Sequence, residues 1–256
     1  MPKWDAGQYL KFGNERTQPA IDLLHRVEVR DPGKIMDLGC GPGNSTEVLR
    51  GRWPAARIFG LDSSPEMIAA ARKSYPEGDW AVGDAATWKA AEPFDVVFAS
   101  AMLHWLPNHA ETCRNWMAHV AEGGALAVQQ PAHYDRVMRR EILEVSEDAG
   151  WRDRMQAARE SIRCETPAFY YDVLRPITSR VDVWETTYYH VLEGAEGVLE
   201  WYRGTGLRPF LQALASDKER TRFEAMLLER YSVSYSRRKD GKVLFPFRRL
   251  FVVAYR

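Results

Sequence analysis

Short apolar runs alternate with amphipathic stretches through the first half of the chain. The runs predict five β-strands, at residues 34–38, 57–61, 80–82, 94–100 and 125–130. Apolar residues at helical spacing predict helices around these strands, at residues 17–27, 44–53, 65–73 and 108–120. The segment Glu122-Gly123-Gly124 is predicted to end the last of these helices. Such alternation is typical of an α/β fold with a parallel sheet.

The alternation ends near Pro131. Helical patterns then follow one another without strands, at residues 135–149, 155–162 and 167–174. Two β-rich segments at 180–189 and 243–255 enclose further helical patterns at 196–201 and 217–235. We predict a single domain with a βα core at 31–130, helical cap insertions at 131–176 and 194–236, and late strands at 179–192 and 243–256.

Composition and charge indicate which kinds of molecule the protein binds. A chain of 256 residues with 45% hydrophobic content is long enough for one α/β domain with an insertion. Lys and Arg together number 35, as do Asp and Glu, so no broad positive field favours nucleic acid or a membrane surface. A small-molecule substrate is therefore the expectation.

The three cysteines, Cys40, Cys113 and Cys164, are far apart and odd in number. Without a C-x-x-C pair they predict neither a disulfide framework nor a zinc site, and no metal is expected. The N-terminal residues lack the apolar stretch of a signal peptide, and no run approaches the length of a membrane span. A cytoplasmic location is predicted.

Residues 34–44, KIMDLGCGPGN, combine a short apolar strand, three glycines at alternate positions and a predicted helix-capping asparagine. Gly39, Gly41 and Gly43 allow a tight turn that brings bare backbone against a ligand. A strand, a glycine-rich turn and a helix start form the first half of a nucleotide-binding βαβ unit. A dinucleotide fingerprint, however, would place a glycine where Asn44 stands.

The pattern from Asp37 to Gly43 is D-x-G-x-G-x-G, which resembles the first motif of class I S-adenosylmethionine-dependent methyltransferases. The resemblance implies a doubly wound, mostly parallel, Rossmann-like sheet of seven strands, with one antiparallel strand beside the fifth. It also implies S-adenosylmethionine as cofactor. The predicted cofactor-binding residues are Tyr9, Asp37, Gly39, Cys40, Gly41, Gly43, Asn44, Asp62, Ser63, Met67, Gly83, Asp84, Ala85, Ser100 and Trp105.

Two acidic residues after later strands have alternative interpretations. Asp62 lies where a carboxylate accepts hydrogen bonds from a ribose diol, although it could instead cap the next helix. Because Ser64 can already cap that helix, the ribose interpretation is favoured. Asp84, between Gly83 and Ala85, resembles the family's adenine-binding aspartate, and the alternative is an ordinary acidic turn.

The segment Ser100–Trp105, SAMLHW, follows the fourth predicted strand, where family members place residues near the transferred methyl group. His104 is a candidate general base, and a purely structural histidine is the alternative. Trp105 is predicted to pack on the adenine or to form a wall of the site.

Arginines dominate the cations of the second half, with 19 Arg against 3 Lys from residue 131 onward. Guanidinium groups bind carboxylates bidentately, although solvated helix faces account for most of these arginines. A few lie in aromatic settings, such as the segment Phe247-Arg248-Arg249. The predicted substrate-binding residues are Tyr170, Tyr171, Arg175, Trp201, Arg203 and Arg248, and Arg203 joins His104 as a candidate catalytic residue.

Longer segments resemble one family over nearly the whole chain, the trans-aconitate 2-methyltransferases: MDLGCGPGNST, GLDSSPEMI, FASAMLHWLP, EWYRGTGLRPFL and LFPFRRLF. The resemblance implies methyl transfer to a carboxylate of trans-aconitate or a related polycarboxylate. The alternatives are a small-molecule O- or N-methyltransferase with a histidine base and a non-catalytic S-adenosylmethionine-binding module. Residues 1–30, with aromatic Trp4, Tyr9 and Phe12, are predicted to form a lid over the cofactor.

Overall fold

The computed structural model describes residues 13–132 and 137–256, with side chains from residue 17 onward. The predicted contacts of Trp4, Tyr9 and Phe12 lie outside these residues. The strands are β1 (Lys34–Leu38), β2 (Arg57–Asp62), β3 (Asp79–Val82), β4 (Phe94–Ser100), β5 (Val120–Pro131), β6 (Arg180–Leu192) and β7 (Val243–Tyr255). The helices are α1 (Gly13–Arg26), α2 (Asn44–Arg52), α3 (Pro65–Ser74), α4 (His109–Ala118), α5 (Val137–Ser146), α6 (Gln156–Glu160), α7 (Pro167–Leu174), α8 (Gly194–Arg203), α9 (Arg208–Ala213) and α10 (Asp217–Ser234).

The strands form one seven-stranded sheet in the order β3-β2-β1-β4-β5-β7-β6. Strands β1 to β5 pair in parallel, and β7 runs antiparallel beside β5. This arrangement confirms the predicted fold class, including the antiparallel strand next to the fifth. Because the carboxyl ends of β1 to β4 share one edge, the turns that follow these strands lie along that edge.

Apolar burial and capping explain why these elements form. Residues 96–99 of β4 are fully buried, as a strand covered on both faces requires. Two helices begin with a hydroxyl cap followed by proline: the side chain of Ser64 accepts a hydrogen bond at the start of α3, and that of Thr166 does so at α7.

The described residues divide into two compact units. The first comprises residues 13–131, 165–186 and 249–256, and so contains β1 to β5, α7 and the last part of β7. The second comprises residues 132, 137–164 and 187–248. Its core contains Trp151, Phe210, Phe223 and Tyr231, contributed mainly by the helices of this unit. The predicted boundaries of core, cap and lid stay a prediction.

Two predictions about local structure are wrong, and one short helix was not predicted. Residues 122–124 do not end a helix but lie inside β5, where the pairing with β4 shifts register between Phe94 and Val96. The helix predicted at 155–162 is shorter, since residues 152–155 form a 3₁₀ turn before α6. The six-residue helix α9 was not predicted. None of the described helices is long and apolar enough to cross a membrane.

Candidate cofactor and substrate site

The turn after β1 has the backbone geometry that its glycines predict. Gly39, Gly41 and Gly43 all have positive φ angles, of 70°, 55° and 100°. A Cβ at Gly39 would lie 2.5 Å from the Cβ of Met102, whereas one at Gly41 would have no described atom within 4 Å. The turn is therefore closed by packing at Gly39 and open at Gly41.

Helix α2 begins at Asn44, but the predicted capping role of this residue is wrong. Gly43 occupies the N-cap position in the left-handed conformation, and no side chain caps the helix. The buried thiol of Cys40 packs with Ile68, Ala71 and Trp80 and donates to the carbonyl of Gly41 in the turn at 3.7 Å.

Asp37 is fully buried near the carboxyl end of β1 and is hydrogen-bonded to the first turn of α2. Its Oδ2 accepts hydrogen bonds from the hydroxyls of Ser45 (2.7 Å) and Thr46 (2.6 Å). Its Oδ1 is buried and has no hydrogen-bond partner among the described residues. Burial raises the pKa of this carboxyl from 3.8 to about 6, against the lowering effect of the two hydroxyls.

We expect Asp37→Asn to gain stability relative to the wild type as pH rises. Because the folded state holds the proton of Asp37 more tightly than the unfolded state, its contribution to stability is present below about pH 4 and is lost as pH rises through about 6. Between pH 4 and pH 7, the difference in unfolding free energy should move in favour of the variant by up to about 3 kcal/mol. Urea denaturation at several pH values measures this difference.

Asp79→Asn is the matched control. The Arg57 side chain lowers the pKa of Asp79, so the effect of this substitution should have the opposite sign and be small at so exposed a position. Parallel pH dependence in the wild type and Asp37→Asn would contradict the burial of an ionisable Asp37.

Asp62 lies at the carboxyl end of β2 and accepts a hydrogen bond from the glycine turn. Its Oδ2 accepts the backbone N–H of Gly41 at 3.0 Å, and its Oδ1 accepts that of Ser64 at 2.9 Å. The cap of α3 is Ser64, so the alternative interpretation of Asp62 as that cap does not apply. Burial raises the pKa of Asp62, while the backbone N–H groups partly offset this. Beside it, Ser63 is exposed and Met67 is buried.

The loop after β3 brings Asp84 to the surface. Its Oδ1 accepts the backbone N–H of Ala86 at 2.9 Å, which holds the loop in a local turn. Gly83 is tied to β2 through its backbone bond to Asp62, and the carbonyl of Ala85 accepts from the indole of Trp116. Hydrogen bonds therefore hold this loop both at Gly83, next to β2, and at Ala85, next to Trp116.

The segment after β4 contains a strained residue. Ala101 has a φ of 56°, the one positive φ at a non-glycine residue in the described part of the chain. Such conformations persist where surrounding structure enforces them and cluster at functional sites. Here the backbone N–H of Ala101 bonds to the carbonyl of Gln129. The ring of Trp105 lies 4.9 Å from that of His104.

His104 is 6% exposed. Burial lowers its pKa well below 6.5, and the charges of Arg249 and His109 lower it further. The buried surroundings therefore disfavour the protonated imidazolium form of His104.

A buried polar network at the carboxyl ends of β4 and β5 was not predicted from the sequence. The hydroxyl of Tyr170 lies 2.5 Å from Nδ1 of His109 and accepts from Nε2 of Gln130 at 2.6 Å. Gln129 donates to the hydroxyl of Ser100 at 2.7 Å and accepts from Nη1 of Arg249 at 3.1 Å. The only available sequence signal was the pair of glutamines ending an apolar strand.

The other predicted substrate residues are distributed over both units. In the first, Tyr171 and Arg175 are exposed, and Arg175 donates to the carbonyl of Thr178. In the second, Trp201 is buried with its ring 4.2 Å from that of His190, and Arg203 is ion-paired with Glu200 and Glu224. The roles predicted for these residues stay predictions.

Arg248 lines a cavity of about 270 Å³ in the second unit. Its described lining combines aliphatic and aromatic surface with hydroxyl groups, and no acidic residue contributes: Val137, Met138, Thr187, Tyr189, Tyr235, Phe245, Pro246 and Arg248.

A family model described as a methyltransferase domain matches residues 35–124. The chain is 45% identical over its full length to the full length of a protein of Azoarcus sp. (strain BH72) named trans-aconitate 2-methyltransferase. It is also 45% identical to a protein of the same name from Methylobacterium nodulans, covering 100% of this chain and 99% of that one. The YcgJ protein of Bacillus subtilis shares the fold, with a TM-score of 0.59 over 93% of this chain and 99% of that chain at 12% identity.

Proposed function

Because the chain belongs to the trans-aconitate 2-methyltransferase family, we propose that it transfers the methyl group of S-adenosylmethionine to a carboxylate of trans-aconitate. The products are a monomethyl ester and S-adenosylhomocysteine. The observation that carries the proposal is 45% identity over the whole length of both proteins.

The glycine turn supports the cofactor assignment. A Cβ at Gly41 would have no described atom within 4 Å, so the described residues leave space for a ligand in close contact with the turn. Asp62 lies directly beside Gly41 and suits a ribose diol, because carboxylate oxygens with spare lone pairs accept further hydrogen bonds. Asp84 and the backbone of Ala85 are proposed to receive the adenine. The bound cofactor supplies an electrophilic methyl group on a sulfonium.

The proposed reaction requires little acid–base catalysis from the protein. A carboxylic acid with a pKa of roughly 4 is ionised at neutral pH, so the nucleophile needs no general base. The protein then contributes alignment of the reacting atoms, worth up to about 7–11 kcal/mol in favourable cases. Because burial lowers the pKa of His104, its imidazole is a weak proton acceptor, and the proposed reaction does not need a stronger one.

A methyl-transfer assay with trans-aconitate tests the proposal, with ester formation as the readout. At saturating cofactor the rate should be nearly flat from about pH 6 to 9, because neither a carboxylate nor a guanidinium titrates there. His104→Asn should keep most of the maximal rate.

Loss of the methyl-transfer rate in His104→Asn, with affinity for cofactor and substrate retained, would overturn the carboxylate mechanism in favour of base-assisted transfer to a hydroxyl or amine. Cofactor binding without any turnover would instead indicate a binding module. Measuring S-adenosylhomocysteine binding by calorimetry alongside the assay separates these outcomes.

A further inference from the structure

We propose that Trp116 and its neighbour Asn115, on helix α4, are positioning residues that hold the loop after β3 in the shape that recognises the adenine of the cofactor. The inference rests on the proposed function, which assigns the adenine to Asp84 and Ala85 of this loop, and extends it to two residues behind the loop. All of these residues belong to the first compact unit.

The loop between β3 and β4 contains no helix or strand, so individual hydrogen bonds determine its shape. The backbone N–H of Thr87 donates to the carbonyl of Asp84 at 3.2 Å, which closes a turn. Within this turn, Oδ1 of Asp84 accepts from the N–H of Ala86 at 2.9 Å. Because Asp84 is exposed to water, which competes for such bonds, a turn held only by its own residues would open readily.

Helix α4 supplies two further bonds, both from side chains to the backbone of the loop. Nε1 of Trp116 donates to the carbonyl of Ala85 at 2.8 Å, and Nδ2 of Asn115 donates to the carbonyl of Trp88 at 2.8 Å. Trp116 is 0% exposed, so packing holds its indole in one orientation. Two points of the loop, three residues apart, are therefore attached to a helix.

The bond from Trp116 fixes the orientation of one peptide group. The peptide between Ala85 and Ala86 is held at its carbonyl by Trp116 and at its N–H by Oδ1 of Asp84. Because a peptide group is planar, bonds at both its carbonyl and its N–H fix the plane. The same bonds fix the carboxylate of Asp84, whose second oxygen, Oδ2, can accept from a ligand.

Adenine presents a donor and an acceptor side by side, its 6-amino group and its N1. Recognition of this edge needs an acceptor and a donor at a fixed separation. Asp84 supplies the acceptor and the backbone N–H of Ala85 the donor, and no described residue accepts a hydrogen bond from this N–H. Rotation of the peptide that Trp116 holds would move both groups, so Trp116 acts on the adenine through the loop.

The test compares the affinity of Trp116→Phe and the wild type for S-adenosylhomocysteine and for S-inosylhomocysteine, by calorimetry. Phenylalanine keeps a buried aromatic ring but has no N–H. The wild type should prefer the adenosine form at least about 100-fold, because hypoxanthine presents a carbonyl to Asp84 and an N–H to Ala85. In Trp116→Phe this preference should fall at least about fivefold, through weaker binding of the adenosine form. The KM for S-adenosylmethionine should rise, with kcat within about twofold of the wild type.

Trp53→Phe is the matched control. Nε1 of Trp53 also donates to a backbone carbonyl, that of Arg30 at 3.0 Å, and its side chain is 6% exposed. Arg30 precedes β1, at the edge of the sheet opposite the turns that follow the strands. This variant should also lose stability but keep the full preference for the adenosine form. Asn115→Ala, at a half-buried position, should lower the preference by a smaller factor and provides the test if Trp116→Phe does not fold.

An unchanged preference in Trp116→Phe and Asn115→Ala, or equal losses of affinity for both ligands, would overturn the proposal and assign the two side chains to packing alone. Amide hydrogen exchange in the cofactor-free protein measures the loop directly. The N–H of Ala86 should exchange at least about tenfold faster in Trp116→Phe, and an unchanged rate would also count against the proposal. If the wild type binds no S-adenosylhomocysteine, the proposed function fails; if it binds and its preference survives both substitutions, only the positioning role fails.

Discussion

Gly41→Ala is expected to weaken S-adenosylhomocysteine binding about 10- to 100-fold while the protein remains folded. The new methyl group meets no described atom within 4 Å, so the turn itself can accommodate it. In the complex, however, the methyl group would occupy the space that the cofactor needs, and overpacking of this kind costs about 1–3 kcal/mol. Calorimetry gives the affinity, and thermal unfolding gives the stability.

Gly123→Ala provides an unusually close control. Gly123 has a φ of 73°, against 55° for Gly41, and a Cβ there also has no described neighbour within 4 Å. Both variants should therefore lose a similar amount of stability, about 1–2 kcal/mol for an alanine in the left-handed region. Only Gly41→Ala should lose affinity. Equal affinity in the two variants would place the cofactor away from this turn.

Asp62→Ala is expected to weaken S-adenosylhomocysteine binding by about 1–3 kcal/mol, through two losses. The proposed bonds to the ribose disappear, and so does the hydrogen bond that holds the N–H of Gly41. Asp62→Asn retains one carbonyl oxygen and should fall between the wild type and the alanine variant. Calorimetric titration of all three proteins measures the series.

Asp79→Ala is the control for this series, because Asp79 lies on the adjacent strand and pairs with the exposed Arg57. It should change neither affinity nor stability by more than about 1 kcal/mol. Affinity of Asp62→Ala within twofold of the wild type would assign Asp62 to the support of the turn alone.

The sequence was most informative where local chemistry decides the structure. The bounds of β4, α7 and β7 match their predictions because a continuous apolar run, a Thr-Pro start and an alternating aromatic segment are each strong local signals. The glycine pair at 123–124 gave a wrong prediction of a helix end, because glycine ends helices and also permits irregular strands. Helix α9 has only six residues, too few for a clear apolar period.

In the site, too, local features could be predicted from the sequence and long-range contacts could not. The glycine turn is local and could be identified from its spacing. The contact between Arg249 and Gln129 joins residues 120 positions apart, and it depends on which strands are neighbours and on which side chains share a face. Neither residue carries a local signal in the sequence, so this contact could not be predicted.

The position of β7 between β5 and β6 affects how the chain acquires its structure during synthesis. Residues 243–255 leave the ribosome after the other described strands, yet they fill an interior place in the sheet. Until they arrive, the edge of β5 that pairs with β7 presents backbone N–H and C=O groups without their strand partner. A nascent chain halted before residue 243 therefore carries an unpaired strand edge, which makes such an intermediate prone to aggregation.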